Sequence, residues 1–166
     1  MATWTSKLGT KYDLADIRRR DKDHHKHLTH LRRRPENQTC ADCGAPGTVW
    51  AIVNHGAFVC LRCASVHRSL GTHISVPKGC TGTYHWGADE LERMAAGNVA
   101  ANRALGSPPT VAADCSDAVL RAFLVDKYDR KRWRTDSAPA EPPDLISFDE
   151  APVAAVQDDF FASFGL

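Results

Sequence analysis

Cys40-Ala41-Asp42-Cys43, sixteen residues, then Cys60-Leu61-Arg62-Cys63: four of the chain's six cysteines fall into two Cys-x-x-Cys pairs within 24 residues. Each pair is a knuckle that aims two thiolates at one point, and two knuckles complete a closed tetrahedral four-cysteine site. Such a site suits Zn²⁺, which binds thiolate strongly and imposes no geometry of its own. Two disulfides or a redox pair are the other uses of this spacing. Nothing frames either pair as a thioredoxin-like active site, and the N-terminus Met1-Ala2-Thr3-Trp4-Thr5-Ser6-Lys7 has no apolar core of a secretory signal. A cytosolic, thiol-keeping compartment follows.

The 166 residues leave room for one domain and a tail. A net charge of +1 conceals a gradient: residues 1–34 carry +6, residues 35–134 carry +2, and residues 135–166 carry −7. A basic front can meet an acidic protein, a membrane surface or nucleic acid. No apolar run approaches the roughly 18–20 residues that span a bilayer.

Working outward from the knuckles, Thr48 to Asn54 and Ala57 to Val59 are rich in β-branched and aromatic residues. His55-Gly56 lies between them as a turn, so the pair reads as a hairpin that returns Cys60 to Cys40 and Cys43. Leu61 to Leu70 contains no Gly or Pro and fits a helix stopped at Gly71. At about 100° per residue, Val66, His67 and Leu70 lie within roughly 60° of Cys63, whereas Arg68 lies about 140° away. Arg68 therefore points away from the metal and is free for other work.

Upstream, residues 1–13 read as a flexible N-terminus. Leu14 to Leu31 reads as a helix packing through Leu14, Ile17, Leu28 and Leu31, with Arg18 to His27 as a solvated face. Downstream, residues 75–87 are rich in Gly and Thr and carry no clear signal. Helices are expected over Ala88–Ala96, over Val99–Leu105, and from a Ser116 or Asp117 cap to Tyr128. The last of these presents Val119, Leu120, Phe123 and Leu124, and Lys127 to Arg134 complement its negative end.

From residue 135 the composition turns to an acidic, Pro-punctuated segment that reads as a disordered tail. Two apolar islands interrupt it, Leu145-Ile146-Ser147-Phe148 and Phe160-Phe161-Ala162-Ser163-Phe164. Islands of this kind serve as short docking motifs.

Together, Cys40-x2-Cys43-x16-Cys60-x2-Cys63, Trp50, and His67-Arg68-Ser69-Leu70-Gly71-Thr72-His73-Ile74-Ser75 resemble the zinc-finger domain of Arf GTPase-activating proteins (ArfGAPs). The likeness runs through Leu91-x2-Met94 and Gly97-Asn98-x3-Asn102 to Lys127-Tyr128, covering residues 14–134. It implies an α+β fold: a small four-cysteine zinc-finger module with a short antiparallel sheet surrounded by helices. It implies one structural Zn²⁺ on Cys40, Cys43, Cys60 and Cys63. It also implies acceleration of GTP hydrolysis by an Arf-type small GTPase in its GTP form, with Arg68 as the arginine finger. Trp50 would support that arginine or face the GTPase, and His67 would pack against the metal site rather than ligate it. The segment Val76 to His85 departs from the family pattern, being one residue longer and lacking an acid before Trp86. Lys78 there stands in for a partner-facing basic residue.

Separately, in the tail, Leu145-Ile146-Ser147-Phe148-Asp149 resembles a clathrin box, and Asp158-Asp159-Phe160-Phe161 resembles adaptor-binding peptides. A cytoplasmic protein recruited to Golgi, endosomal or plasma-membrane coated vesicles is implied, with transient membrane contact. Two other readings exist. One is a weak or inactive scaffold that binds a GTPase or clathrin coat. The other is a GATA-type DNA-binding finger, but residues 64–100 balance Arg68, Lys78 and Arg93 against Asp89, Glu90 and Glu92. A DNA reader needs a basic excess there, so no DNA partner is expected.

Overall fold

A computed structural model describes residues 1–135. At its centre is a three-stranded antiparallel sheet in the order β4-β3-β5, built from β3 (Trp50–Ile52), β4 (Ala57–Val59) and β5 (Pro77–Gly79). The hairpin read between the knuckles is present, with Trp50 opposite Val59 and Ile52 opposite Ala57. Its turn is a 3-10 segment, Val53–His55, closed by Gly56 at φ 69°. A Cβ there would meet the Arg93 carbonyl oxygen at 2.6 Å, so glycine is required twice over.

The two faces of the sheet serve two cores, as the period of 2 along a strand dictates. Ile52, Ala57 and Val59 face the four cysteines, Leu120 and Leu124. Ala51, Val53 and Phe58 face Leu28, Leu31, Trp86, Leu91 and Met94. Helix α1 (Leu14–Arg32) covers the second core, with Ile17, Leu28 and Leu31 buried. Asp13 caps it by accepting the Ala15 N–H at 2.7 Å. Its polar middle is not wholly solvated: His24 Nδ1 lies 2.5 Å from the Trp86 carbonyl, and Asp21 pairs with His85 at 2.7 Å.

Helix α2 (Leu61–Arg68) follows the second knuckle, and Cys60 Sγ caps it by accepting the Cys63 N–H. Then come α3 (Ala88–Ala95), α4 (Gly97–Ala104) and α5 (Asp117–Leu124), the last capped by Ser116. Along α5, Leu120 and Leu124 are buried, but Val119 is 52% exposed and stands outside the stripe expected of it. Past Leu124 the helix widens into a π turn over Val125–Asp129, which carries Lys127 inward.

One expectation needed correction, and one stretch left unassigned in sequence proved to be a strand. Residues 1–13 are a hairpin rather than a flexible lead: β1 (Thr3–Thr5) pairs antiparallel with β2 (Lys11–Asp13), Trp4 opposite Tyr12. The stretch 75–87, without a clear signal in sequence, supplies β5, which pairs with β3 so that Lys78 lies opposite Ala51. Both elements are three residues long and are held by partners distant in sequence. The Leu145, Ile146, Phe148 and Asp149 motif lies outside the described residues.

Candidate functional site

The sulfurs of Cys40, Cys43, Cys60 and Cys63 all lie within 4.8 Å of one another, and all four residues are buried. Cys43 and Cys60 Sγ are 3.7 Å apart. A tetrahedral zinc with Zn–S near 2.3 Å spaces its sulfurs about 3.8 Å apart. The donor set fits that ion. A hydrogen bond from Cys63 lowers the Cys40 thiol to about 6, whereas burial pushes Cys43 up to about 11. Four thiolates coexist in this space only with a divalent cation among them. With four protein ligands no coordination position is left for water, so the metal's role is structural.

Beneath the knuckle lies a buried network that sequence reading did not assemble. Asp42, between the two ligands of the first knuckle, is fully buried, and its Oδ1 accepts from Lys127 Nζ and Tyr128 Oη, each at 2.8 Å. Its Oδ2 meets His67 Nε2 at 3.0 Å, and His67 Nδ1 meets Ser75 Oγ at 3.0 Å. Lys127 Nζ also donates to the Ala41 carbonyl at 2.8 Å. Burial alone would raise the Asp42 carboxyl, but Lys127 and His67 outweigh it and hold the group well below the usual carboxylate range. Lys127 is thus not a helix-end complement but the counter-charge of the knuckle. His67 packs beside the metal site, as the resemblance implied. The network ties together the first knuckle, α2 and the π turn one residue before Arg68.

Arg68 emerges on the other side of α2. It is exposed, and its guanidinium lies 4.2 Å over the Trp50 ring. Among the described residues it has no hydrogen-bond or ion-pair partner. The cation–π contact is worth about 0.5–1 kcal/mol at such a site, enough to bias direction without neutralising charge. Tyr84 meets Trp50 edge-on, with centroids 6.2 Å apart. Arg68, Trp50 and Tyr84 share an open depression of about 410 Å³ with Lys7, Thr72 and Pro77. The helix end is itself braced: Arg121 of α5 donates to the Ser69 carbonyl at 3.1 Å and to Ser69 Oγ. An unpaired, aimed guanidinium on an open face can meet an anion brought by another molecule.

The family profile described as "Putative GTPase activating protein for Arf" matches residues 25–137. The chain belongs to the ArfGAP family. Among curated relatives, an Arabidopsis thaliana protein named probable ADP-ribosylation factor GTPase-activating protein AGD15 is 37% identical over 127 residues, covering 75% of this chain and 52% of the relative. UBA domain-containing protein 3 of Schizosaccharomyces pombe is 39% identical over 117 residues, 66% of this chain and 19% of the relative. The chain therefore spans from about a fifth to about half of these relatives. The solved ArfGap domain of HIV-1 Rev binding protein shares the fold, with a TM-score of 0.63 and 23% identity over 73% of this chain and 94% of that one.

Within the ArfGAP domain, the remaining sequence-nominated residues sort by position. Asn98 is structural: its Oδ1 accepts the Phe58 N–H at 2.6 Å and its amide donates to the Thr39 and Phe58 carbonyls. Asn102 donates to the Ala41 carbonyl at 3.4 Å. Trp50 stands beside Arg68 on the open face. Lys78 does not join them. Its ammonium is buried and paired with Glu90 at 2.6 Å, between the rings of Trp4 and Trp86. The reason is geometric: pairing of β5 with β3 turns Lys78 to the face where Glu90 and Trp86 are buried. Two residues of the depression, Lys7 and Tyr84, went unnoticed because neither carries a local signal.

Proposed function

We propose that this ArfGAP domain stimulates GTP hydrolysis by an Arf-type small GTPase in its GTP form, with Arg68 supplied in trans to the nucleotide. The observation that carries the reading is the Arg68 guanidinium, exposed, unpaired and seated on Trp50 beside an open depression. In phosphoryl transfer, charge builds on the phosphate oxygens, and little covalent chemistry is asked of the activator. A guanidinium offers several N–H donors in a planar fork and keeps its charge at any physiological pH. Placed against those oxygens, it stabilises the transition state more than the ground state. In other GTPases such a trans arginine supplies on the order of 10³–10⁵ in rate.

The rest of the domain acts by position. Zn²⁺ holds the β3–β4 hairpin and α2 together, the Asp42 network fixes His67, and Arg121 fixes Ser69. Arg68 thus has a firm base on both sides. Activity at coated membranes during vesicle traffic accords with the family. Contact of Leu145, Ile146, Phe148 and Asp149 with clathrin, and of the basic α1 with a membrane surface, is proposed on residue pattern and charge alone.

The test is GTP hydrolysis by Arf-type GTPases on liposomes, with wild type, Arg68→Lys and Arg68→Ala. Lysine keeps the charge and loses the fork, so both variants should lose most of the stimulation. Equal rates for all three would refute the role of Arg68 and leave a non-catalytic scaffold.

A further inference from the structure

The β1–β2 hairpin precedes residue 25, where the family match begins, yet it is bonded firmly to the domain. Ser6 Oγ donates to Asp89 Oδ2 at 2.6 Å and accepts the Thr10 N–H at 3.1 Å. Tyr12 Oη donates to Asp89 Oδ1 at 2.8 Å. Gly87 leaves room for this seat, since a Cβ there would meet the Tyr12 ring at 2.9 Å and the Trp4 ring at 3.3 Å.

Glu90 settles which lysine faces solvent. Its Oε1 accepts the Lys7 N–H at 2.8 Å and Lys78 Nζ at 2.7 Å. Its Oε2 accepts Lys78 Nζ at 2.6 Å and the Gly87 N–H at 2.8 Å. The Lys78 ammonium is enclosed by this carboxylate and two indoles, so it cannot reach another molecule. The same carboxylate anchors the backbone of Lys7, whose side chain is exposed and lines the depression that holds Arg68. Among the described residues Lys7 has no ion-pair partner.

We propose that the N-terminal hairpin is part of the GTPase-docking face, and that Lys7 pairs with an acidic side chain of the GTP-bound partner. This rests on the reading of Arg68 above, whose face the hairpin extends. Two cations without internal partners border one depression, so that face complements an anionic surface. An ammonium at the solvent-exposed rim, outside α2, acts on encounter and register more than on the bond being broken. Lys7 is therefore a positioning residue for association.

Hydrolysis is measured with the full chain at varied GTPase concentration, at low and at physiological salt, for wild type, Lys7→Arg, Lys7→Ala and Lys7→Glu. Lys7→Glu is expected to raise KM roughly three- to tenfold with kcat unchanged, and Lys7→Ala to raise it less. Lys7→Arg should stay near wild type, and Lys7→Ala should show a weaker salt dependence. Thermal midpoints should match, because the side chain is exposed. An unchanged KM would overturn the proposal. So would a fall in kcat at constant KM, which would place Lys7 on the phosphates. A lowered KM in Lys7→Glu would also overturn it, because the face would then dock the chain's own acidic residues 136–166. If Arg68→Ala equals wild type, the proposed function itself fails; if only the Lys7 variants equal wild type, the hairpin proposal fails alone.

Discussion

Replacing Lys127 by methionine should test how the zinc knuckle is held more sharply than any change at the metal. Methionine keeps the apolar stem out to Cε and removes the ammonium. Asp42 would lose one of two Oδ1 donors and its nearest full charge, while the Ala41 carbonyl would lose its 2.8 Å partner. Both side chains are fully buried, so water cannot compensate. Breaking a buried pair by removing one member costs about 3–5 kcal/mol, because a charge is left desolvated. With a urea m-value of about 2 kcal/mol per M, the midpoint should fall by roughly 1.5–2.5 M. The measurement is urea unfolding at neutral pH with Zn²⁺ saturating, followed by far-UV circular dichroism. Adding Asp42→Asn removes the stranded charge, so the double variant should be less damaged than the sum of the singles by about 1–3 kcal/mol. A loss below about 1 kcal/mol for Lys127→Met, or strict additivity of the pair, would refute the claim that this lysine neutralises the knuckle.

Two further outcomes follow from the site. Metal analysis should find about one Zn²⁺ per chain, and a strong chelator should abolish the far-UV signal of the domain, since binding and folding are coupled at a four-cysteine site; a chain that stays folded without metal would contradict this. Trp50→Ala should leave the fold intact and reduce kcat by about two- to fivefold, the worth of an exposed cation–π contact that aims Arg68. A loss as large as that of Arg68→Ala would mean that the indole itself makes the decisive contact with the GTPase.

The site was legible in sequence wherever a residue's role is set by its near neighbours. Arg68 could be turned away from Cys63 by counting, because both sit on one helix and a helix has a fixed angle per residue. Asp42, His67, Lys127 and Tyr128 could not be joined in that way. Lys127 is 85 residues from Asp42 and enters the core only because a π turn follows α5. Read along the chain, it looked like one more basic residue at a helix end.

The sequence by itself determined the metal site, the β3–β4 hairpin, the starts of α1, α2 and α5, and the direction of Arg68. Each depends on spacing, capping or periodicity over a few turns of chain, where local geometry leaves little choice. Tertiary structure alone decided the N-terminal hairpin, β5 and the exchange of Lys78 for Lys7 at the surface. A two-stranded ribbon of three-residue strands is not stable in water. Its order comes from Asp89 and Glu90, 77 to 83 residues away, whose carboxylates bond Tyr12, Ser6 and Lys7. Which of two lysines is buried then depends on where one glutamate lies in three dimensions, and no local pattern encodes that position.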